Sequence, residues 1–487
     1  MEWIYRPRRG PEWGSGGIFG LIVHRGVTYF TLSMEAEAHF VHADGFEKVY
    51  RFERVGPGPA SGGDTYNAVE AVDDSIYFGG WVHVPAVYKG RRGMGGEIGF
   101  ANKYSHVHEY SIPERSVRLL WKDGIGRESE WAGEVSQIIY DPVNDELLIG
   151  RADGSANLGI YAIDRRGGGA RKISDVPALK GSLFLDYACF DMQPDWRRGV
   201  DGVQCYDLVG KAVHKYVVED WARISADGHG VEQRGSGYAI SAYARYWHFF
   251  RGGVLVGNPV EPSLEEPKFV RLFDFGPNAY APHRANALEV GGGLLAPFNA
   301  YSHGYIHGRD DAHRRLFNSP VGPSVLIYIA PPTARIVAAL GARVTSMAKD
   351  GPSILVAANT APNLGGLDAS PIDVGVRTIM RFDEDRLLSS PSPPATFRVP
   401  GALVGASQFG GIPLAGYAWP RLRIVPSKPN RLFVHEYDIG LPPSQISAES
   451  YDVGAGPEEI DLGGFSGIVS FRFERADEGS TTYIVLE

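Results

Sequence analysis

The chain is poor in cysteine, lysine and methionine, and it has no long apolar run. Two cysteines, Cys189 and Cys205, exclude a disulfide framework and every paired-cysteine zinc site; they allow one disulfide, and their expected state is two buried thiols in a reduced interior. No stretch approaches the 18 or so apolar residues that a membrane helix needs. The first residues, MEWIYRPRRGPEWGSGG, carry charges with no apolar segment behind them, so no secretory leader is expected and the expected location is the cytoplasm. Arginine outnumbers lysine 37 to 11, and with only 6 Met and 33 Pro the composition suits a thermophile, although GC-rich coding produces the same arginine bias. Net charge is -9, so no general attraction to nucleic acid or an anionic membrane is expected. Phosphate-cradling and dinucleotide fingerprints are missing, because the glycines of GMGGEIG sit in a loop insertion. HExxH and nucleophile-elbow patterns are missing too.

What the chain does have is glycine (62 residues), proline and 56 aromatic residues, a mixture made by many short strands and tight turns. One phrase recurs, a polar turn, then three or four apolar residues, then small ones: DDSIYFGGW, NDELLIGRADG, RGGVLVGNP, GGGLLAPFNA, DGPSILVAANT and KPNRLFVHEYD. An alternating strand follows most copies, as in NLGIYAIDRRGGG, GVQCYDLVG and SVLIYIAPP. Period-2 segments bounded by Gly, Asp, Asn and Pro are strands. TARIVAALGARV is the best candidate for a helix, and it is short. A four-stranded unit used repeatedly is a β-propeller, so the expected fold is all-β. It is a single propeller domain over residues 1–487, of seven blades with eight as the alternative, and with long loop insertions on one face. The small residues closing the recurring phrase are expected to let inner strands crowd a central channel.

The segments YFGGWVHVPA, NKYSHVHEYS and YDPVNDELLIGRADGSANLGIYAID resemble an archaeal propeller-like family of unassigned function. The resemblance implies the propeller fold and supplies no catalytic residues.

In such a fold the loops between second and third strands, and the links from one blade to the next, meet at one mouth where ligands sit by fold analogy. The residues 298–315, FNAYSHGYIHGRDDAHRR, form a long insertion of this kind, expected to aim Asn299, Tyr301 and His303 at the channel while its charged tail lies in solvent. Loops assigned to the same mouth carry Glu37, Trp81, His83, Trp131, Glu134, Arg151, Asp153 and His435. Two carboxyl groups across a sugar-sized gap cleave glycosides. Glu37, Glu134, Asp153 and Asp310 are the catalytic candidates, with Trp81, His83, Trp131, Arg151, Asn299, Tyr301, His303 and His435 as substrate-binding residues. The expected function is a carbohydrate-active hydrolase or lyase on a glycan or small molecule. One alternative is a non-catalytic binding or scaffold propeller. The other is a metal enzyme ligated by His83, His106, His303, His307 and His435. No cofactor or oligomeric state is specified by these residues.

Overall fold

The computed structural model describes residues 2–10, 18–32, 37–52, 62–64, 67–83, 86–87, 97–98, 103–195, 198–276, 280, 282, 285–300, 320–359 and 375–487, with backbone alone at 2–10, 62–64, 83, 86–87, 97–98 and 375–376. Within them the chain folds as a series of antiparallel sheets, most of four strands, and up to residue 383 most are built from strands consecutive in sequence.

The third sheet shows how the sequence builds one. Its strands are Glu134–Asp141, Glu146–Ala152, Gly159–Asp164 and Ala170–Ser174. The Asp141 carboxylate accepts the N–H groups of Val143 (2.8 Å) and Asn144 (3.0 Å), and Asp145 takes the left-handed conformation at φ 57°, which Asp tolerates. DPVND is thus a turn that reverses the chain between the first and second strands. Leu148 and Ile160 then pack with Ala188, Phe190 and Tyr206 of the fourth sheet, while Leu147 and Ile149 pack with Tyr77 and Val107 of the second. Strand alternation therefore buries both faces, because each sheet stands between two others.

Seven sheets follow one another in this way, and named hydrogen bonds tie each to the next. Asn67 Oδ1 accepts Gly20 N (2.6 Å), Trp81 Nε1 donates to Ala132 O (2.9 Å) and Lys180 Nζ donates to Ser136 O (2.6 Å). Tyr246 donates to Cys189 O (3.4 Å), Tyr238 to Pro297 O (3.0 Å) and Asn299 Nδ2 to Val344 O (2.8 Å). The seventh sheet returns to the first, where Leu21 N donates to Ser346 Oγ at 3.0 Å. Its outer strand is the start of the chain: Glu2–Gly10 pairs antiparallel with Gly375–Asp383. Joining first and last strands in one sheet resists opening of the ring.

Residues 395–487 do something else. Their strands are divided between two sheets, ordered Ala395–Pro400, Thr481–Leu486, Arg421–Val425, Glu458–Asp461 in one, and Phe409–Pro413, Ile468–Phe473, Asn430–Tyr437, Gln445–Val453 in the other. Phe397, Leu422 and Ile484 of one sheet share a single core with Val434 and Phe471 of the other and with Phe273 and Phe298 of the preceding sheets. The recurring phrase KPNRLFVHEYD belongs to this pair of sheets and not to an eighth repeat of the series.

Three expectations are corrected. TARIVAALGARV is strand, Thr333–Leu340 running into Arg343–Asp350, because its neighbour Ser324–Ala330 supplies a ladder partner. The small residues of the recurring phrase accommodate the neighbouring sheet: a Cβ on Gly150 would lie 3.1 Å from Ala178 O and from the Phe190 ring, and one on Gly79 2.6 Å from Val135 Cγ1. Cys189 and Cys205, directly opposite on adjacent strands, are joined in a disulfide. Their pairing follows from strand register, which their spacing in sequence does not reveal.

Candidate functional site

In the seven successive sheets, first strands begin, second strands end and third strands begin at one end, as registers such as Glu134 with Ala152 and Arg343 with Asn359 show. Buried polar side chains gather at that end. Each of the seven sheets contributes: Thr31, Lys103, Glu134, Lys180, His248, Asn299 and Arg343 are all at most 5% exposed. Burying so many polar groups costs energy unless each has a partner, so this face is built around polar chemistry.

The second and third sheets bring together five of the expected residues. Trp81 is buried, with the Lys103 ammonium 3.3 Å from its ring centroid and 5.5 Å from that of Trp131. Trp131 Nε1 donates to Asp153 O (3.2 Å), and Asp153 itself sits in the left-handed region at φ 56°. Arg151 donates from Nε to Gly133 O (3.1 Å) and from a terminal nitrogen to Asp123 Oδ2 (2.7 Å), which also accepts Asn157 Nδ2 (2.8 Å). Its guanidinium is stacked between Trp121 and Tyr161, at 5.1 and 4.9 Å. Glu134 pairs in register with Ala152, one residue from Arg151, and is fully buried.

The fourth and fifth sheets add a group that the sequence reading missed. Asp191 is the penultimate residue of the second strand Tyr187–Met192, and its Oδ1 accepts Leu179 N (2.6 Å) and Lys180 N (3.0 Å). Its Oδ2 stands 3.9 Å from His248 Nε2, which also lies 3.0 Å from Ser236 Oγ. Burial pushes the Asp191 carboxyl up to about 6 against the pull of these hydrogen bonds, and pushes His248 down to about 3. Ser236 and Asp191 face the same imidazole nitrogen. A Ser-His-Asp relay needs them on opposite nitrogens, so this is not one. The available signal was positional: Asp191 is the last residue but one of an apolar second strand, and Asn299 and Asn359 follow or end theirs.

The remaining expected residues lie apart or outside the description. Glu37 is engaged by His39 (3.2 Å) and Arg51 (3.4 Å) in the first sheet. Asn299 directly follows the second strand of the sixth sheet, Gly293–Phe298, and the third begins at Ser324, so the insertion has the expected place in the chain. Asn299 commits both ends of its amide to Val344. His435 sits on Asn430–Tyr437 in the C-terminal pair of sheets, next to His229. Tyr301, His303, Asp310 and the rest of the insertion lie outside the described residues, as does the side chain of His83. His106 and His108 are fully buried with their Nδ1 atoms 2.9 Å apart. Among the described residues, no three or more His, Cys, Asp or Glu side chains gather in a way that could hold a metal ion. No helix among them is long and apolar enough to cross a membrane.

Four-stranded sheets arranged in succession, tied each to the next and the last to the first, define a β-propeller protein. The chain belongs to the family described as "Uncharacterized protein conserved in archaea (DUF2139)", whose model matches residues 28–367. No curated protein matches it in sequence. Among solved structures it is similar to virginiamycin B lyase from Staphylococcus aureus, at 10% identity and a TM-score of 0.44, over 77% of this chain and 99% of that one. It is also similar to the exo-β-1,3-galactanase of Phanerochaete chrysosporium (10% identity, TM-score 0.29, 86% and 94% of the two chains). A nidogen/laminin complex matches at 12% identity and a TM-score of 0.30, over 52% and 79%.

Proposed function

We propose that the seven consecutive sheets are the blades of a closed seven-bladed propeller. In this reading residues 395–487 are a β-sandwich docked on its rim, in place of one propeller over residues 1–487. The mouth of that propeller is a carbohydrate-active site of hydrolase or lyase type. The observation that carries the reading is the pair of buried carboxyl groups on neighbouring blades, Glu134 and Asp191, with Lys180 between the blades, its N–H on Asp191 and its ammonium on Ser136 O, two residues along the strand from Glu134. Asp191 stays protonated up to about pH 6 and suits a general acid, leaving Glu134 as the second carboxyl group. Trp131 offers a sugar-stacking face beside them, and Arg151 fixes the wall through Gly133 and Asp123. Glu37 is assigned to its ion pairs and Asn299 to the blade seam rather than to substrate.

A panel of neutral and uronate-containing glycans, followed by release of reducing ends, tests this. Turnover of at least one glycan is expected, falling by about a hundredfold or more in Glu134→Gln and in Asp191→Asn. Full activity in both folded variants, or no turnover on the whole panel, defeats it. The second reading, a non-catalytic binding propeller, draws support from Asn299 and from the Asp191–His248–Ser236 group, which already engage partners across blade seams.

A further inference from the structure

A cavity lies where residues 229–233, in the link before the fifth sheet (first strand Ser236–Ala242), meet the C-terminal pair of sheets. It has a volume of about 360 Å³, and His229, Arg271, Asp274, Gln408 and Arg472 are among its walls. That size falls in the lower range of small-molecule sites.

One side is rigid and electrically closed. Arg271 is 1% exposed; its Nε donates to Asp227 Oδ2 (2.8 Å), one terminal nitrogen to Gly230 O (2.7 Å) and His229 O (3.1 Å), and the other to the Asp274 carboxylate. Asp227 Oδ2 also accepts the Ser470 hydroxyl (3.0 Å), which in turn accepts Gln408 Nε2 (2.7 Å). This chain locks Gln408 by its nitrogen and leaves Oε1 buried with no partner.

The other side is open in its chemistry. Among the described residues no carboxylate lies within salt-bridge distance of Arg472; its guanidinium lies 4.5 Å from the Phe433 ring, and its Nε is buried with no partner among them. His229 closes this side, backed by the ring of His435, which packs edge-on against it at 4.8 Å from behind the wall. A buried donor or acceptor left without a partner is costly, so a cavity whose wall keeps Gln408 Oε1 and Arg472 Nε in that state is shaped for something that completes them.

We propose that this junction cavity binds a small hydroxylated monocarboxylate, its carboxylate on Arg472 and a hydroxyl on Gln408 Oε1. A carboxylate matches the planar guanidinium fork. The neighbouring Asp227, Asp274 and Glu232 side chains disfavour a doubly charged phosphate, and an acceptor-only oxygen on Gln408 requires a donor on the ligand. The proposal is independent of the reading of the propeller mouth, since Trp131 and Glu134 belong to other sheets.

Titration calorimetry on the full chain with D-glucuronate, D-glucose and inorganic phosphate tests it. D-Glucuronate is expected to bind, with glucose and phosphate at least about tenfold weaker. Arg472→Gln is expected to weaken D-glucuronate by about tenfold or more, Arg472→Lys by less, and Trp131→Ala not at all. Circular dichroism confirms that each variant is folded, and Arg472→Lys serves should the glutamine variant not be. The proposal is overturned if D-glucuronate does not bind, if glucose or phosphate equals it, if neither Arg472 variant changes its affinity, or if Trp131→Ala abolishes binding.

Discussion

Asn299 holds Val344 by both ends of its amide: Nδ2 donates to Val344 O at 2.8 Å, and Oδ1 accepts Val344 N at 2.8 Å. A side chain expected at the ligand instead completes the backbone of the next sheet. The sixth and seventh sheets meet there without a shared ladder, and the amide supplies the two hydrogen bonds that a paired strand would have made.

Asn299→Ala therefore orphans a buried N–H and a buried C=O and is expected to cost about 2–4 kcal/mol. Urea denaturation measures the loss. A shift of only a few tenths of a kcal/mol would mean that solvent reaches Val344.

The Arg271–Asp227 ion pair of the fifth sheet and its preceding link meets the C-terminal sheets through the Ser470 hydroxyl on Asp227 (3.0 Å) and the Tyr437 hydroxyl on Arg271 O (2.9 Å). Burial pushes the Asp227 carboxyl up, but Arg271, the Ser225 hydroxyl and the His229 N–H outweigh it and hold it below the usual carboxylate range. Arg271→Met leaves that carboxylate buried and unpaired, a loss expected at about 3–5 kcal/mol. Because the folded pKa is depressed, the ion pair's contribution is complete above the unfolded value near 3.9 and fades as pH falls through the lower folded one. Arg271→Met should flatten that acid limb in a denaturation series taken between neutral and acidic pH.

Asp191 and Glu70 act in the opposite sense. Burial raises Asp191 to about 6 and Glu70 to about 7, so the folded chain holds protons that the unfolded chain has released. Stability is then expected to be highest below about pH 4 for these two groups and to decline until the folded values are passed. Asp191→Asn keeps the acceptor for Leu179 N and Lys180 N while removing the ionisation. It should stabilise the protein above pH 6 relative to the parent, and an unchanged pH profile would show Asp191 to be hydrated.

Cys189 and Cys205 close a loop with a sequence separation of 16. Thiol titration of the unfolded, unreduced chain is expected to find no free thiol. Reduction is expected to lower stability by roughly 3 kcal/mol on the chain-entropy view. Two titratable thiols would refute the bond.

Local chemistry that repeats was legible in the sequence. DPVND reads as a turn because Asp141 caps it from within, and ELLIGRA reads as a strand because its apolar residues serve two neighbouring sheets. The placement of Trp81, Trp131, Glu134, Arg151 and Asp153 in one neighbourhood followed from counting strands within a repeat. His435 went astray because its strand copies the recurring phrase while belonging to a different pair of sheets. Asp191 went unnoticed because nothing near it in sequence distinguishes it; Lys180 and His248 reach it from other strands.

The sequence by itself determined the strands, the turns and the repeated four-stranded unit, since these rest on side-chain alternation and on residues that favour tight turns over a few positions. Tertiary structure alone decided the partners. Closure of the seventh sheet by the first strand, the Cys189–Cys205 bond, the amide of Asn299 on Val344 and the Arg271–Asp227 ion pair each join residues through register or packing. Burial then sets what those groups do, because a carboxyl such as Asp191 changes its acidity only once other strands have taken the water away from it.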